Sequence, residues 1–339
     1  MSIMKRTFRN KLFLCGFSVM AGLLLTSLLY FLIFNDRIPI APLLYDSSGK
    51  PIKGPYSGKL YPPLGVDNFG RNIALVMLIG VKYTIFAATV ITILRVIPSI
   101  LFGFIIHFYL KKIEKPIKYI ADSINYFPTT LLVFLLLGWL SREKISFEET
   151  SLSFWGLILF YIFIFSVVSI PSVSVLIANE IGLINKMEFI QCSRTLGASS
   201  SHIIKKHIRP FLVPQLFIIF IREFIQTLLL MSHMGILGIY ITGYEVKRDL
   251  FDNPNLLSKS NEWAGALGMW WHFLWTMYPW IAFIPVVLIA TLILASKCIL
   301  DGLQNVLSTD VRILKVVENE SNEEFKNLRP FQLLKTKLN

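Results

Sequence analysis

Residues 188–210 read EFIQCSRTLGASSSHIIKKHIRP, a polar and basic segment between two strongly apolar runs. Its first part has the spacing of a short helix, with Phe189, Cys192 and Leu196 on one face and Glu188, Gln191 and Arg194 turned elsewhere. Gly197 stands where such a helix ends, because glycine takes a left-handed position without steric cost. Ala198 follows, and Ser199 or Ser200 can cap a second helix. The apolar side of that helix is Ile203, Ile204, Ile208 and Phe211, while Lys205, Lys206 and Arg209 point away. Pro210 and Pro214 lead into the next apolar run. The pattern predicts a helix–glycine–helix elbow at a membrane surface, stiff enough to pass force into the membrane. Periodicity by itself leaves open an ordinary basic loop between spans.

The flanking composition sets the class. Of 339 residues, 54% are hydrophobic and only 16% charged, and the mean hydropathy is +0.62. A soluble domain of this length does not carry that balance, so an all-α integral membrane protein is expected. The net charge of +12 does not point to nucleic acid, because the basic residues are interspersed among apolar spans. They follow the excess of lysine and arginine on the inner side of membranes. Cys15, Cys192 and Cys298 form no CxxC pair, which supports neither a disulfide framework nor a zinc site.

Outward from the elbow, the apolar runs predict about six spans. Leu12–Phe34 follows Lys5, Arg6, Arg9 and Lys11 and reads as an uncleaved signal-anchor with its N-terminus inside. Asn35–Arg71 is proline-rich and predicts an external loop with a short β-hairpin. Ile73–Lys82 is expected along the outer membrane surface, ahead of a second span at Tyr83–Leu110. A third span is expected at Ile117–Leu140 and a fourth at Phe154–Ala178, kinked by Pro171. Ser141–Ser153 makes an external loop between them. The fifth runs Phe211–Met231 and the sixth Pro279–Leu300. Trp270, Trp271, Trp275 and Trp280 are placed like an interfacial aromatic belt. The division is thus 1–34 for the N-terminus and anchor, 35–72 for an external loop, 73–307 for the core with its coupling loop at 186–210, and 308–339 for a cytoplasmic tail.

Several of these stretches resemble one family. Glu188, Gly197 nine positions on, and the Ile203–Pro210–Pro214 tail resemble the "EAA" loop of binding-protein-dependent ABC importer permeases. Arg194-Thr-Leu-Gly-Ala-Ser199 looks like the version in the dipeptide/oligopeptide/nickel group, with Gln191 and Cys192 where small residues are usual. Pro63-Leu-Gly-Val-Asp67-Asn-Phe-Gly70-Arg71-Asn72 resembles the "LGTDxxGRD" signature of the C-type subunit, with Asn72 in place of the usual acid. Read as bare residues, it is equally a glycine-containing turn. Asn261-Glu-Trp-Ala-Gly-Ala-Leu-Gly268 looks like the family's "PEWGxML" region, and Asp301-Gly302-Leu303 is similar to its "GDGLRDALDP" end. The resemblance covers roughly 64–307.

That resemblance implies a type I ABC importer permease fold in a bacterial inner or plasma membrane, with both termini cytoplasmic. It implies a second homologous permease subunit, two ATP-binding subunits and an extracytoplasmic substrate-binding protein as partners, besides membrane lipid. Substrates would be di- or oligopeptides or a related small solute such as nickel. This chain would bind no cofactor, with ATP and Mg carried by the partner ATPases. Glu188, Gln191, Arg194, Leu196, Gly197 and Ala198 would form the coupling surface, Glu188 and Arg194 as polar contacts and Leu196 as the apolar one.

The sequence itself bears on catalysis. It has no GxxxxGK[ST] phosphate loop, HExxH or GxSxG motif, so ATP hydrolysis needs a separate chain. A membrane-embedded enzyme and an ATP-independent secondary transporter are the competing readings. Arg95 in the second span and Arg222 and Glu223 in the fifth sit where an ionisable group costs several kcal/mol unless paired or hydrated. Neighbouring helix positions diverge by about 100°, so Arg222 and Glu223 cannot face one partner. Either Glu223 pairs with Arg95 while Arg222 meets a partner subunit, or one arginine faces a hydrated pathway and offers a site for a peptide carboxylate.

Overall fold

The computed structural model describes residues 6–50, 52, 54–110, 114–142, 154–249 and 254–327. The described residues are mostly helical, and one two-stranded hairpin is the only sheet among them. Four helices are long and apolar enough to cross a membrane, and a bent pair makes a fifth candidate. The chain is therefore a mostly helical membrane protein with four to five candidate spans.

Helix α1 covers Lys11–Phe34 and starts at Asn10, whose side chain accepts from the N–H groups of Leu12 and Phe13. Helix α2 covers Ile73–Phe108, and Asn72 caps it by accepting from Ala74 and Leu75. Asparagine at this position thus closes two helix-end donors that an acid would otherwise take. The expectation that Ile73–Lys82 lies along the membrane surface is corrected, because it is the first part of one 36-residue helix. Lys82 pairs with Asp36 just beyond the end of α1, at 2.5 and 2.6 Å. Everything before Lys82 therefore projects past α1 rather than turning along the surface. Ile73, Val76, Met77, Ile79 and Val81 are buried there against protein.

The expected third span is two helices, α3 (Glu114–Tyr126) and α4 (Thr129–Arg142). Pro128 stands at the break, and proline disfavours helical geometry in the residue before it. Only Thr129–Gly138 forms an apolar helix there, which is too short for an ordinary span. Of the external loop expected over Ser141–Ser153, the first two residues belong to α4 and 143–153 lie outside the described residues. The fourth span keeps its predicted kink, as α5 (Phe154–Val167) and α6 (Ile170–Asn185) meet at 42°. Helix α7 (Glu188–Thr195) precedes α8, which runs unbroken over Ser200–Ile236.

After α8 come β1 (Tyr244–Arg248) and β2 (Pro254–Ser258), antiparallel with Tyr244 opposite Ser258 and Arg248 opposite Pro254. This hairpin lies in a segment where the sequence predicts none, and the one expected within Asn35–Arg71 is not formed among the described residues. Among its described residues the proline-rich loop holds only isolated bridges, Ile40 with Arg71 and Val66 with Asn72. Helix α9 (Trp263–Trp270) follows, then α10 (Pro279–Asn327), whose backbone carries the helix well into the expected tail. Residues 328–339 lie outside the described residues. The aromatic belt is corrected at Trp270, which is wholly buried, whereas Trp275 is 82% exposed.

The main core lies between α2, α8, α9 and α10. A second core of Val173, Ile177, Ile181, Ile184, Ile190, Ile203, Ile208 and Leu212 seats the elbow on α6 and α8. Gly80 lets α2 pass directly under the α9 entrance, since a Cβ there would meet the Asn261 carbonyl at 2.1 Å.

Candidate functional site: an elbow joined to a polar cavity

The elbow forms where its sequence places it. Helix α7 ends at Thr195, and Gly197 follows at φ +87 with nothing within 4 Å of a Cβ built on it. The backbone alone demands glycine there. Ser199 caps the next helix, accepting from the His202 N–H at 3.3 Å. The following residues Ile203–Ile208 form a π-helical stretch, and the Arg209 N–H reaches the Ile204 carbonyl. In a regular helix Ile203 and Ile208 would be offset by about 140°. The wider turn lets both face the core, where they are 2% and 0% exposed. Helix α8 is continuous from Ser200 to Ile236, so the second half of the elbow and the apolar run after it belong to one helix.

The inner face of α7 differs from the periodicity-based expectation. Ile190 is the anchor, fully buried, while Phe189 is 40% and Leu196 88% exposed. Eight residues make barely two turns, so a single side chain fixes the helix. Glu188 is exposed in the first turn, where its charge suits the helix dipole. Gln191 and Arg194 are exposed but reach back to Asn185. The Gln191 amide donates to its carbonyl at 3.0 Å, and Arg194 donates to its side-chain oxygen at 2.9 Å. Asn185 also lies 3.2 Å from the His107 ring on α2. This polar chain from α7 to α2 went unnoticed in the sequence, where Asn185 and His107 stand 78 positions apart. Ala198 packs half-buried beside the second core.

Within the membrane-level helices, Arg95 is 1% exposed. Its Nε and Nη2 donate to the Phe165 carbonyl at 3.0 and 2.8 Å, and its Nη1 lies 3.5 Å from Glu223 Oε2. The Phe165 carbonyl is available because the helix breaks there. The Ser169 N–H turns to Ser166 at 3.3 Å instead. Arg95 therefore closes a broken helix end and neutralises a buried carboxylate at once.

Arg222 turns the other way, as helical geometry requires, and lies exposed. With Gln226 and His233 it forms a polar stripe at helical spacing on α8, a face ill-suited to lipid. The stripe borders a cavity of about 410 Å³, whose other walls include Thr130, Ser169 and Ser172. His233 Nδ1 and Thr130 Oγ1 lie 3.2 Å apart across it. Both helix breaks, at Pro128 and at Ser169, open onto the same space.

At the far end, two motifs that the sequence presents separately meet. Asp67 accepts from the N–H groups of Phe69 and Arg71 and pairs with the Arg71 guanidinium at 2.6 Å. Arg71 also donates to Asn261 at 2.7 Å. Trp263, two residues on, donates its ring N–H to the Met77 carbonyl at 2.8 Å. Glu262 is buried under the hydroxyls of Thr242, Ser258 and Ser260.

No group of three or more His, Cys, Asp or Glu is placed to hold a metal among the described residues. No protein-family model and no curated protein matches the sequence.

Proposed function

We propose that this chain is a permease subunit of an ATP-driven importer of the binding-protein-dependent ABC type. In this reading it lines, with a second permease, a membrane pathway for peptides or a related small solute. The observation that carries the reading is the elbow. An exposed helix bearing Glu188, Arg194 and Leu196 is held by one buried anchor, turns at a glycine, and continues without a break into a span. Such a part suits transmission of force from a soluble chain to a membrane helix. The test is copurification of full-length protein with an ATP-binding chain from native membranes, followed by ATP hydrolysis with and without Gly197→Val. The reading requires that the complex hydrolyse ATP and that the variant lower hydrolysis or assembly at normal membrane abundance.

The polar cavity supplies the pathway face. Arg222, Gln226 and His233 line it from α8, and a guanidinium there can take a peptide carboxylate in a two-pronged contact. Arg95 is committed elsewhere, to Phe165 and Glu223, so Arg222 is the candidate. Uptake of a peptide and its C-terminally amidated form separates the roles. Arg222→Gln should lose the preference for the free carboxylate while the protein still accumulates.

The two helix breaks facing one cavity favour a second reading, an ATP-independent transporter, because such proteins build their sites from interrupted helices. Uptake into sealed vesicles decides between them. Dependence on internal ATP in the presence of ionophores supports the importer, and collapse of uptake by ionophores alone supports the alternative.

A further inference from the structure

A further cavity lies away from both the elbow tip and the polar stripe. It has a volume of about 820 Å³ and sits between the start of α8, the N-terminal segment before α1, and α10 near Leu303 and Leu307. Its α8 wall is graded. Lys205, Lys206 and Arg209 stand at one end, and Val213, Phe217 and Ile221 continue down the helix. Phe8 and Phe13 close the opposite side. The three cations are exposed and meet no carboxylate among the described residues. Phe217 is 61% exposed and Val213 40%, so the apolar part opens sideways at the level of the spans.

We propose that this cavity binds an anionic phospholipid of the leaflet at the basic end of the protein. The shape carries the argument. From Arg209 to Ile221 the helix rises about 18 Å, comparable with one leaflet of a hydrocarbon core about 30 Å thick. A phospholipid has the same gradient, an anionic phosphate above apolar chains. A water-soluble anion would leave the hydrocarbon wall wet, and a neutral lipid would leave three cations uncompensated. Basic clusters beside spans suit anionic headgroups, each cation adding about fivefold in affinity near the surface. The occupant also touches three elements whose positions define the elbow's base, so it would steady the π-helical stretch at Ile203–Ile208 against α10.

The test is native mass spectrometry of the purified full-length protein, titrated with phosphatidylglycerol and with phosphatidylcholine of identical chains. Wild type should retain one phosphatidylglycerol about a hundredfold more tightly than phosphatidylcholine, the product of three such contributions. The triple variant Lys205→Gln, Lys206→Gln, Arg209→Gln should bind both lipids alike while remaining monodisperse. Lys115→Gln with Lys118→Gln, which removes cations outside the cavity, should leave the preference unchanged. Val213→Trp, which fills the apolar part but keeps every charge, should weaken both lipids. Equal binding of the two lipids by wild type would overturn the proposal, as would full retention by the triple variant or an equal loss in the Lys115/Lys118 control. Displacement of the lipid by soluble glycerol phosphate would reduce the site to an anion contact. Loss of a partner chain from the triple variant, with lipid retention intact, would make the face a protein interface instead.

Discussion

The elbow at one end of the molecule and the Asp67–Arg71–Asn261 clasp at the other are both short polar motifs, yet they spend their polar groups in opposite ways. In the clasp the charged groups of Asp67 and Arg71 are used internally. Asp67 is wholly buried, Arg71 nearly so, and the two satisfy each other and tie the proline-rich loop to the entrance of α9. In α7, the first half of the elbow, a single apolar side chain, Ile190, is buried, while Glu188 and Leu196 stand in solvent and Arg194 is exposed with one bond back to Asn185. Burial therefore separates a motif that builds the fold from one that remains available to a partner. The same contrast holds inside the membrane region. Arg95, Glu223 and Arg222 all border the cavity, but Arg95 is buried and bound to Phe165 and Glu223, whereas Arg222 is exposed.

The comparison can be broken at its buried side first. Asp67→Ala leaves the Arg71 guanidinium buried without its carboxylate, and removing one member of such a pair costs about 3–5 kcal/mol. The variant should fail to accumulate, or should melt at much lower temperature in detergent when followed by size-exclusion chromatography. Normal melting would show that the clasp is dispensable. Arg95→Gln should have an effect of the same class, because a shorter amide cannot serve the Phe165 carbonyl and Glu223 together. Arg222→Gln, its exposed neighbour on the sequence, should accumulate as wild type does. Equal accumulation of both arginine variants would erase the distinction drawn here.

Smaller effects are expected at the elbow. Gly197→Val forces a branched residue into left-handed geometry at a cost of about 1–2 kcal/mol. The site is open, so membrane abundance should hold while coupling to ATP hydrolysis falls. Ser199→Ala removes a helix cap worth about 1 kcal/mol and should lower coupling only slightly, without changing the melting temperature of the whole protein.

The smallest expected effect is a pH response near the clasp. Burial, then the neighbouring Glu262 and Tyr244, push the Tyr240 phenol up to about 12 from an ordinary value of 10.0. A raised value means the folded state holds its proton longer than the unfolded state. Its contribution is complete below pH 10 and fades as pH rises toward 12. Tyr240→Phe should flatten that part of the alkaline melting curve and leave neutral stability within a few tenths of a kcal/mol.

What the sequence disclosed follows the range of the interactions. Helix ends, the glycine turn, the serine cap and the kink before Pro171 depend on neighbours a few residues away, so spacing reveals them. Contacts between distant segments leave no such trace. The continuity of α2 from Ile73 has no local signal, because its first turns are covered by Asn261 and Trp263, far along the chain. Trp270 was placed at an interface because a tryptophan beside a span gives the same local signal whether it is buried or exposed. Periodicity does not single out Ile190, because a two-turn helix is too short for it to choose a face. At the polar cavity the ionisable residues were visible as exceptions within apolar runs. Their assignment needed α2, α5 and α8 in place, since Arg95, Phe165 and Glu223 come from three different helices.

The proposal that the elbow docks an ATP-binding chain is tested most directly by cross-linking from its most exposed apolar residue. Leu196→Cys, with Cys15, Cys192 and Cys298 replaced by serine, provides a single thiol on the outer side of the turn. A short bifunctional maleimide applied to inside-out membranes should join it to a chain carrying a GxxxxGK[ST] phosphate loop, identified by mass spectrometry of the adduct. Labelling of the same thiol by an impermeant reagent outside sealed cells, or an adduct that maps only to chains without a nucleotide site, would contradict that proposal.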